Sequence, residues 1–61
     1  MNDLQKQAFK QYLSREDILC AEHTQPEVGD RRDEPAYFVQ WKLQGGRTMF
    51  MCIEPDGSRH T

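Results

Sequence analysis

This sequence has little of what several specialised classes of protein require. Its longest apolar stretch is far shorter than the roughly 20 residues that a membrane-spanning helix needs. No basic segment followed by an apolar core opens the chain, so we expect no signal peptide and a cytoplasmic protein. Charge of one sign is also missing, since 8 Lys and Arg stand against 10 Asp and Glu. Duplex-binding proteins usually carry a basic excess and DNA mimics a dense acidic face, so the charge balance favours neither class.

Cysteine is scarce as well, because Cys20 and Cys52 are the two in this chain of 61 residues. Both have apolar neighbours, which is typical of small buried thiols in a reducing compartment. An exported chain could form one Cys20–Cys52 disulfide, but small disulfide scaffolds normally carry more bridges. A chain this short forms one domain and buries only about 60% of the surface that its unfolded form exposes. It has little room for a deep substrate cleft, and we expect it not to be an enzyme.

Residues 1–23 predict a helical segment. Apolar residues recur there at the spacing of one helix face. These residues are Leu4, Ala8, Phe9, Tyr12 and Leu13. Asn2 or Asp3 can cap the start, and Ser14 with Asp17 forms a capping box in which Asp replaces the usual Glu or Gln. The segment is therefore one bent helix or, as we favour, two short helices with a corner at Ser14.

The rest of the chain predicts a small sheet. Residues 24–35 predict a charged loop, because Pro and Gly interrupt them and a run of five charged residues has no periodicity. Residues 36–53 predict a β-hairpin that turns at Gly45-Gly46, and residues 54–61 a turn followed by a frayed tail or a very short third strand. We thus expect a single α+β domain, with one or two N-terminal helices packed on an antiparallel β-hairpin or a short three-stranded sheet.

The composition of the two hairpin faces depends on the register. If Gly45 and Gly46 alone form the turn, Trp41 lies opposite Phe50. The second face then holds four large apolar residues: Phe38, Met49, Met51 and Ile53. If Gln44 also belongs to the turn, Phe50 moves to the more polar side and both methionines join Trp41. In either register the face away from the helices keeps large apolar side chains, so we expect another molecule to cover it.

That uncovered face predicts the function. Methionine adapts to varied contacts, and aromatic residues and Arg tend to carry binding energy, so we expect a non-enzymatic protein-interaction module or small regulator. It would dock on another protein, as a homodimer, through the Met-bearing face of the hairpin and the charged loop. The expected contact residues are Arg31, Arg32, Tyr37, Phe38, Gln40, Lys42, Met49 and Met51. Many small regulators, including those of phages and plasmids, have this chain length.

Three other functions were considered: nucleic-acid binding, a zinc site and a cysteine nucleophile. Aromatic and basic residues on the sheet would suit single-stranded nucleic acid, which the acidic charge balance disfavours. Two Cys and two His could hold zinc, although their spacing is unlike that of a zinc knuckle. These residues are Cys20, His23, Cys52 and His60. Cys52 with a His base could act as a nucleophile, but no oxyanion-binding group accompanies the pair. We therefore expect no catalytic residue, metal or cofactor.

Overall fold

In a computed structural model of the whole chain, two helices are followed by four strands. The elements are α1 (Asp3–Tyr12), α2 (Arg15–Cys20), β1 (Ala21–Pro26), β2 (Tyr37–Lys42), β3 (Thr48–Ile53) and β4 (Arg59–His60). The structure describes the backbone of residues 1–61 and the side chains of all of them except Glu22 and His23. The strands form one antiparallel sheet in the order β1-β2-β3-β4, so the α+β class is confirmed. Within the described chain, neither helix is long and apolar enough to cross a bilayer.

Each helix begins at a capping box. At α1, Asn2 Oδ1 accepts from Gln5 N at 2.8 Å, and Gln5 Oε1 accepts from Asn2 N at 2.9 Å. At α2, Ser14 Oγ accepts from Asp17 N at 3.1 Å, and Ser14 N donates to Asp17 Oδ2 at 3.2 Å. The backbone of Ser14 is extended, so the first helix ends before it and a second begins after it. The corner predicted at Ser14 is confirmed.

The buried face of α1 differs from the predicted one. Ala8 is buried as expected, but the side chain of Leu4 is 53% exposed. Gln5 is buried instead, with 1% of its surface exposed, and its Nε2 donates to Pro35 O at 2.9 Å and to Ile53 O at 3.2 Å. Because its oxygen also accepts the N–H of the N-cap residue, the buried amide has hydrogen-bond partners on both sides. A polar side chain therefore joins α1 to the loop before β2 and to the end of β3.

β1 is the largest departure from the expected fold. The sequence predicted helix up to residue 23 and a loop from 24 to 35, whereas α2 ends at Cys20 and Ala21–Pro26 pairs with β2. The register shifts by one residue between Ala21 and His23, which marks a β-bulge. Apolar and polar residues do not alternate in this segment, so its sequence pattern does not predict a strand. Its strand conformation comes from the pairing with β2. At the other edge Arg59–His60 pairs with β3, so of the two alternatives for the end of the chain, a frayed tail or a very short strand, the strand is the observed one.

The hairpin turn has three residues, Gln44, Gly45 and Gly46, rather than two. Leu43 N donates to Arg47 O at 2.8 Å and closes the turn. Gly45 and Gly46 have φ values of 100° and 88°, which residues with a Cβ rarely adopt. The register built on a two-residue turn is therefore wrong, and the alternative register is the observed one.

This register places most of the apolar residues of both strands on one side of the sheet, here called the inner face, which meets the helices. The buried core contains Ala8, Leu13, Val39, Trp41, Met51 and Ile53, with Phe9, Ile18, Ala21, Leu43 and Met49 packed against it. A slip of one residue would replace Met49, Met51 and Ile53 on this face by Thr48, Phe50 and Cys52. The observed register buries more apolar surface against the helices, which stabilises it over the alternative.

Candidate protein-binding surface

The opposite side of the sheet, here called the outer face, is left without a helix in the described structure, since α1 and α2 both pack on the inner face. Side chains alternate across a strand, so residues of one parity on β2 and β3 share this side. They are Phe38, Gln40, Lys42, Thr48, Phe50 and Cys52. Each of the six is at least partly exposed. The outer face therefore presents a continuous accessible surface across the two central strands.

Phe38 and Phe50 form an aromatic pair at the centre of the outer face. They lie on neighbouring strands, one step apart in the register, because Phe38 pairs with Cys52 and Phe50 with Gln40. The ring centroids are 5.7 Å apart and the ring planes meet at 27°, a stacked arrangement. Phe50 is 49% exposed. An exposed apolar patch with polar neighbours is the kind of surface that marks an interaction site.

Cys52 borders the aromatic pair at the end of the sheet away from the hairpin turn, here called the base end. Its Sγ donates to Glu27 Oε2 at a distance of 3.6 Å. Burial, together with the negative charge of Glu27, raises the pKa of the Cys52 thiol to about 11. The group is therefore a neutral thiol at pH 7, which suits an apolar contact and does not suit a nucleophile.

The charged loop is fastened to the base end by Arg32. Its Nε and Nη2 donate to the carboxylate of Asp30, and its Nη1 donates to Glu54 Oε2 at 3.1 Å. Asp30 also accepts from Ala36 N at 2.9 Å. The hydrogen bonds from Arg32, followed by that from Ala36, hold the pKa of Asp30 well below its usual range. The same Asp30 contact raises the pKa of Arg32. The loop is thus held by an internal ion-pair network.

The two ends of the outer face carry different charged residues. Lys42, in the last strand pair before the turn, is exposed at what is here called the tip end. Glu27 and Glu54 lie at the base end, where Glu54 Oε1 is 3.4 Å from His60 Nε2. At the base end Arg32 contacts the carboxylates of both Asp30 and Glu54, and Glu27 adds a third carboxylate beside Cys52.

The structure divides the predicted contact residues between the two faces. Phe38, Gln40 and Lys42 lie together on the outer face. Met49 and Met51 lie on the inner face, where Met51 is 2% exposed. The expectation of an open Met-bearing face is therefore wrong, because the three-residue turn places both methionines against the helices.

The remaining predicted contact residues lie outside the outer face. Tyr37 has inner-face parity and lines a small cleft beside Asn2 and Gln5. Arg32 is bound within the loop network, whereas Arg31 is exposed on the same loop. Arg31 is thus the more accessible of the two arginines.

The zinc hypothesis gains no support from the side chains that the structure describes. Among them, no group of three or more His, Cys, Asp or Glu residues is arranged to hold a metal ion. Cys52 and His60 pair across β3 and β4, while Cys20 is an exposed free thiol on α2. The side chain of His23, the fourth expected ligand, lies outside the described ones.

Sequence reasoning missed four residues of this surface: Glu27, Thr48, Phe50 and Cys52. Phe50 was placed beside Trp41 by the two-residue turn. Counting the apolar residues on each face would have favoured the other register, because only that register puts Met51 in the core. Glu27 carries no comparable signal, since its position beside Cys52 depends on the connection from β1 to β2.

The fold and this surface define a small α+β domain in which one face of the sheet is covered and the other is open. Comparison of the chain with protein-family models, curated proteins and solved structures gives no match. The role of the surface is therefore inferred from its own chemistry.

Proposed function

We propose that this protein is a non-enzymatic interaction module, a small regulator that docks on another protein through the outer face of its sheet. The Phe38–Phe50 pair carries the proposal, because its rings are stacked, Phe50 is 49% exposed and Phe38 is partly exposed. Aromatic residues near the centre of an interface supply much of the binding energy. Polar residues surround the pair, as expected for the rim of a protein–protein contact.

The charged loop supports the same function. Arg32 joins Asp30 to Glu54, so the loop is held against the base end of the sheet. A held loop loses less conformational freedom on binding than a mobile one. We propose that the loop, with Arg31 exposed on it, extends the docking surface beyond the aromatic pair. We also propose a cytoplasmic location, since both cysteines are free thiols.

Replacing Phe50 by Asp tests the proposal. Phe50→Asp puts a charge at the centre of the outer face and should weaken partner binding by at least about tenfold. Leu4→Asp is the matched control, because Leu4 is 53% exposed and lies on α1, which packs on the opposite face of the sheet. The immobilised chain and both variants would be compared by quantitative capture from a lysate of the source cells, after circular dichroism shows equal folding. Capture that is the same with Phe50→Asp as with the control would make the proposal wrong.

The stacked phenylalanines also favour a second function, binding of single-stranded nucleic acid, because bases stack on exposed aromatic rings. The carboxylates of Glu27 and Glu54 at the base end oppose it, since they repel phosphates. Fluorescence anisotropy with a labelled oligothymidine separates the two functions. Binding that is lost in Phe50→Asp and falls steeply as salt rises would support the nucleic-acid function over protein docking.

A further inference from the structure

We infer that a cleft at the β1 side of the outer face binds an arginine side chain of the partner protein, with the guanidinium between the ring of Phe38 and the carboxylate of Glu27. This inference rests on the proposed function, because it names the chemistry that the partner brings to the outer face. It follows from the residues that line the cleft and from the charges around it.

The cleft adjoins the aromatic pair and has the size of a pocket for one side chain. Its volume is about 360 Å³, at the lower end of the roughly 300–1,000 Å³ of small-molecule sites. It is lined by Gln25, Pro26, Glu27, Val28 and Phe38. Val28 is 92% exposed, so an inserted apolar stem would remove apolar surface from water. The cleft therefore offers an aromatic ring, apolar surface and one carboxylate to an inserted side chain.

The carboxylate of Glu27 has no cationic partner among the described side chains. The hydrogen bond that it accepts comes from the neutral thiol of Cys52. Arg32 is held by two other carboxylates, and His60 lies beside one of those two. With His60 neutral, three carboxylates thus stand against one guanidinium at the base end. Unlike charges favour association, so this end favours a cationic group on the partner.

The backbone around Glu27 is held before any partner arrives. Glu27 N donates to Ala36 O at 2.8 Å, and Glu27 O accepts from Asp30 N at 3.2 Å. The second hydrogen bond closes a tight turn through Val28 and Gly29. Because both backbone groups of Glu27 are bonded, less conformational freedom is lost when its side chain binds.

Arginine fits this lining better than lysine does. A planar guanidinium stacks on an aromatic ring and donates two parallel hydrogen bonds to a carboxylate, while its methylene groups cover apolar surface. The chain makes both contacts elsewhere. The guanidinium of Arg59 lies 4.5 Å from the centre of the Tyr12 ring, and Arg32 binds Asp30 through Nε and Nη2. The partner segment is therefore an arginine next to an apolar residue that covers the aromatic pair.

A charged peptide and its neutral counterpart test this inference. The probes are acetyl-Leu-Arg-Leu-amide and the same peptide with citrulline, which keeps the shape of arginine without its charge. Each is titrated at low salt into the isotope-labelled full chain, and the amide signals of the cleft residues are followed by NMR. The arginine peptide should bind with a dissociation constant of about 1–10 mM, at least about threefold more tightly than the citrulline peptide.

Glu27→Gln removes the charge and keeps the shape, so the preference for the arginine peptide should disappear. Glu34→Gln is the matched control, because Glu34 is an exposed carboxylate of the same loop that does not line the cleft. It changes the net charge equally and should keep the preference of at least about threefold. Equal affinities of the two peptides for the wild type, or a preference that survives Glu27→Gln, would overturn the inference.

The homodimer expected from the sequence is an alternative occupant, since a second copy would bring its own arginines. A wild-type dimer in sedimentation equilibrium that Glu27→Gln dissociates would overturn a different protein as the source of the arginine. The proposed function is tested separately. It stands if both peptides bind equally while Phe50→Asp still lowers capture, and it is wrong if capture does not depend on Phe50, even where the preference for arginine depends on Glu27.

Discussion

The two faces of the β2–β3 hairpin are built from alternating residues of the same two strands, yet one is sealed and the other is open. Val39 and Ile53 are completely buried on the inner face, whereas Phe50 on the outer face is half exposed. Both faces carry large apolar side chains, so hydrophobicity alone does not distinguish them. The difference lies in the helices, because two short helices form one layer and one layer covers one side of a sheet.

The neighbouring residues Met51 and Phe50 give the largest contrast between the faces. Met51→Ala removes a buried side chain and should lower the free energy of unfolding by about 2–5 kcal/mol. Phe50→Ala should lower it by about 1 kcal/mol or less, because half of the ring is exposed in the folded chain. Urea unfolding followed by Trp41 fluorescence measures both.

Met51→Leu keeps the comparison informative if Met51→Ala does not fold. A swap that conserves volume should cost less than about 1.5 kcal/mol in a well-packed core. Equal losses of stability for Met51→Ala and Phe50→Ala would contradict the assignment of the two faces.

The two capping boxes also differ in burial, because the one at α1 is partly buried and the one at α2 is exposed. Gln5→Ala removes the buried amide that donates to the carbonyls of Pro35 and Ile53, and should lower the free energy of unfolding by about 2–3 kcal/mol. Asp17→Ala removes the matching residue of the second box, where the hydrogen bonds are exposed, and should cost about 1 kcal/mol or less. The same urea titrations measure this difference, and a larger loss for Asp17→Ala would contradict it.

Local signals predicted the parts of this fold that depend on neighbouring residues. Ser14 and Asp17 are three residues apart, so their capping box could be recognised directly. Gln5 could be recognised as a helix residue but not as a buried one, because its partners Pro35 and Ile53 are 30 and 48 residues away. β1 was missed for the same reason, since its strand conformation comes from pairing with β2.

The candidate surface was predicted in part. An apolar outer face was expected in both registers, and Phe38 was placed on it correctly. The turn length decided the rest, because one additional turn residue moves Phe50 outward and Met51 inward. Gly45-Gly46 fits a two-residue or a three-residue turn, so the choice depended on which residues the helices cover.

Acid should loosen the loop at the base end while the inner face stays packed. The pKa of Asp30 is lowered from its usual value of 3.8 by the hydrogen bonds from Arg32 and Ala36. The folded chain therefore binds this proton less readily than the unfolded chain. The carboxylate stabilises the fold above about pH 4, and that contribution is lost as the pH falls below it. Asp30→Asn should thus flatten the dependence of the urea midpoint on pH between about pH 5 and about pH 2.

The acid experiment needs a control variant, and a second carboxylate with a lowered pKa must be allowed for. Asp33→Asn, an exposed carboxylate of the same loop, controls for the removal of one negative charge. Asp56, whose pKa is lowered mainly by the side chain of Ser58, supplies a remaining dependence in Asp30→Asn. An unchanged pH profile in Asp30→Asn would show that the loop network does not stabilise the folded chain.

The smallest effect concerns the reactivity of the two thiols and leaves stability unchanged. Cys20 is exposed, whereas burial beside Glu27 raises the pKa of the Cys52 thiol from 9.0 to about 11. At pH 8 this lowers the thiolate fraction by about a hundredfold, which the greater nucleophilicity of a more basic thiolate offsets by about tenfold. Iodoacetamide should therefore alkylate Cys52 about tenfold more slowly than an ordinary thiol, as followed by intact mass and peptide mapping. Glu27→Gln should speed the reaction by removing the negative charge beside the sulfur. Alkylation of both thiols at one rate would place Cys52 in open solvent rather than at the border of the aromatic pair.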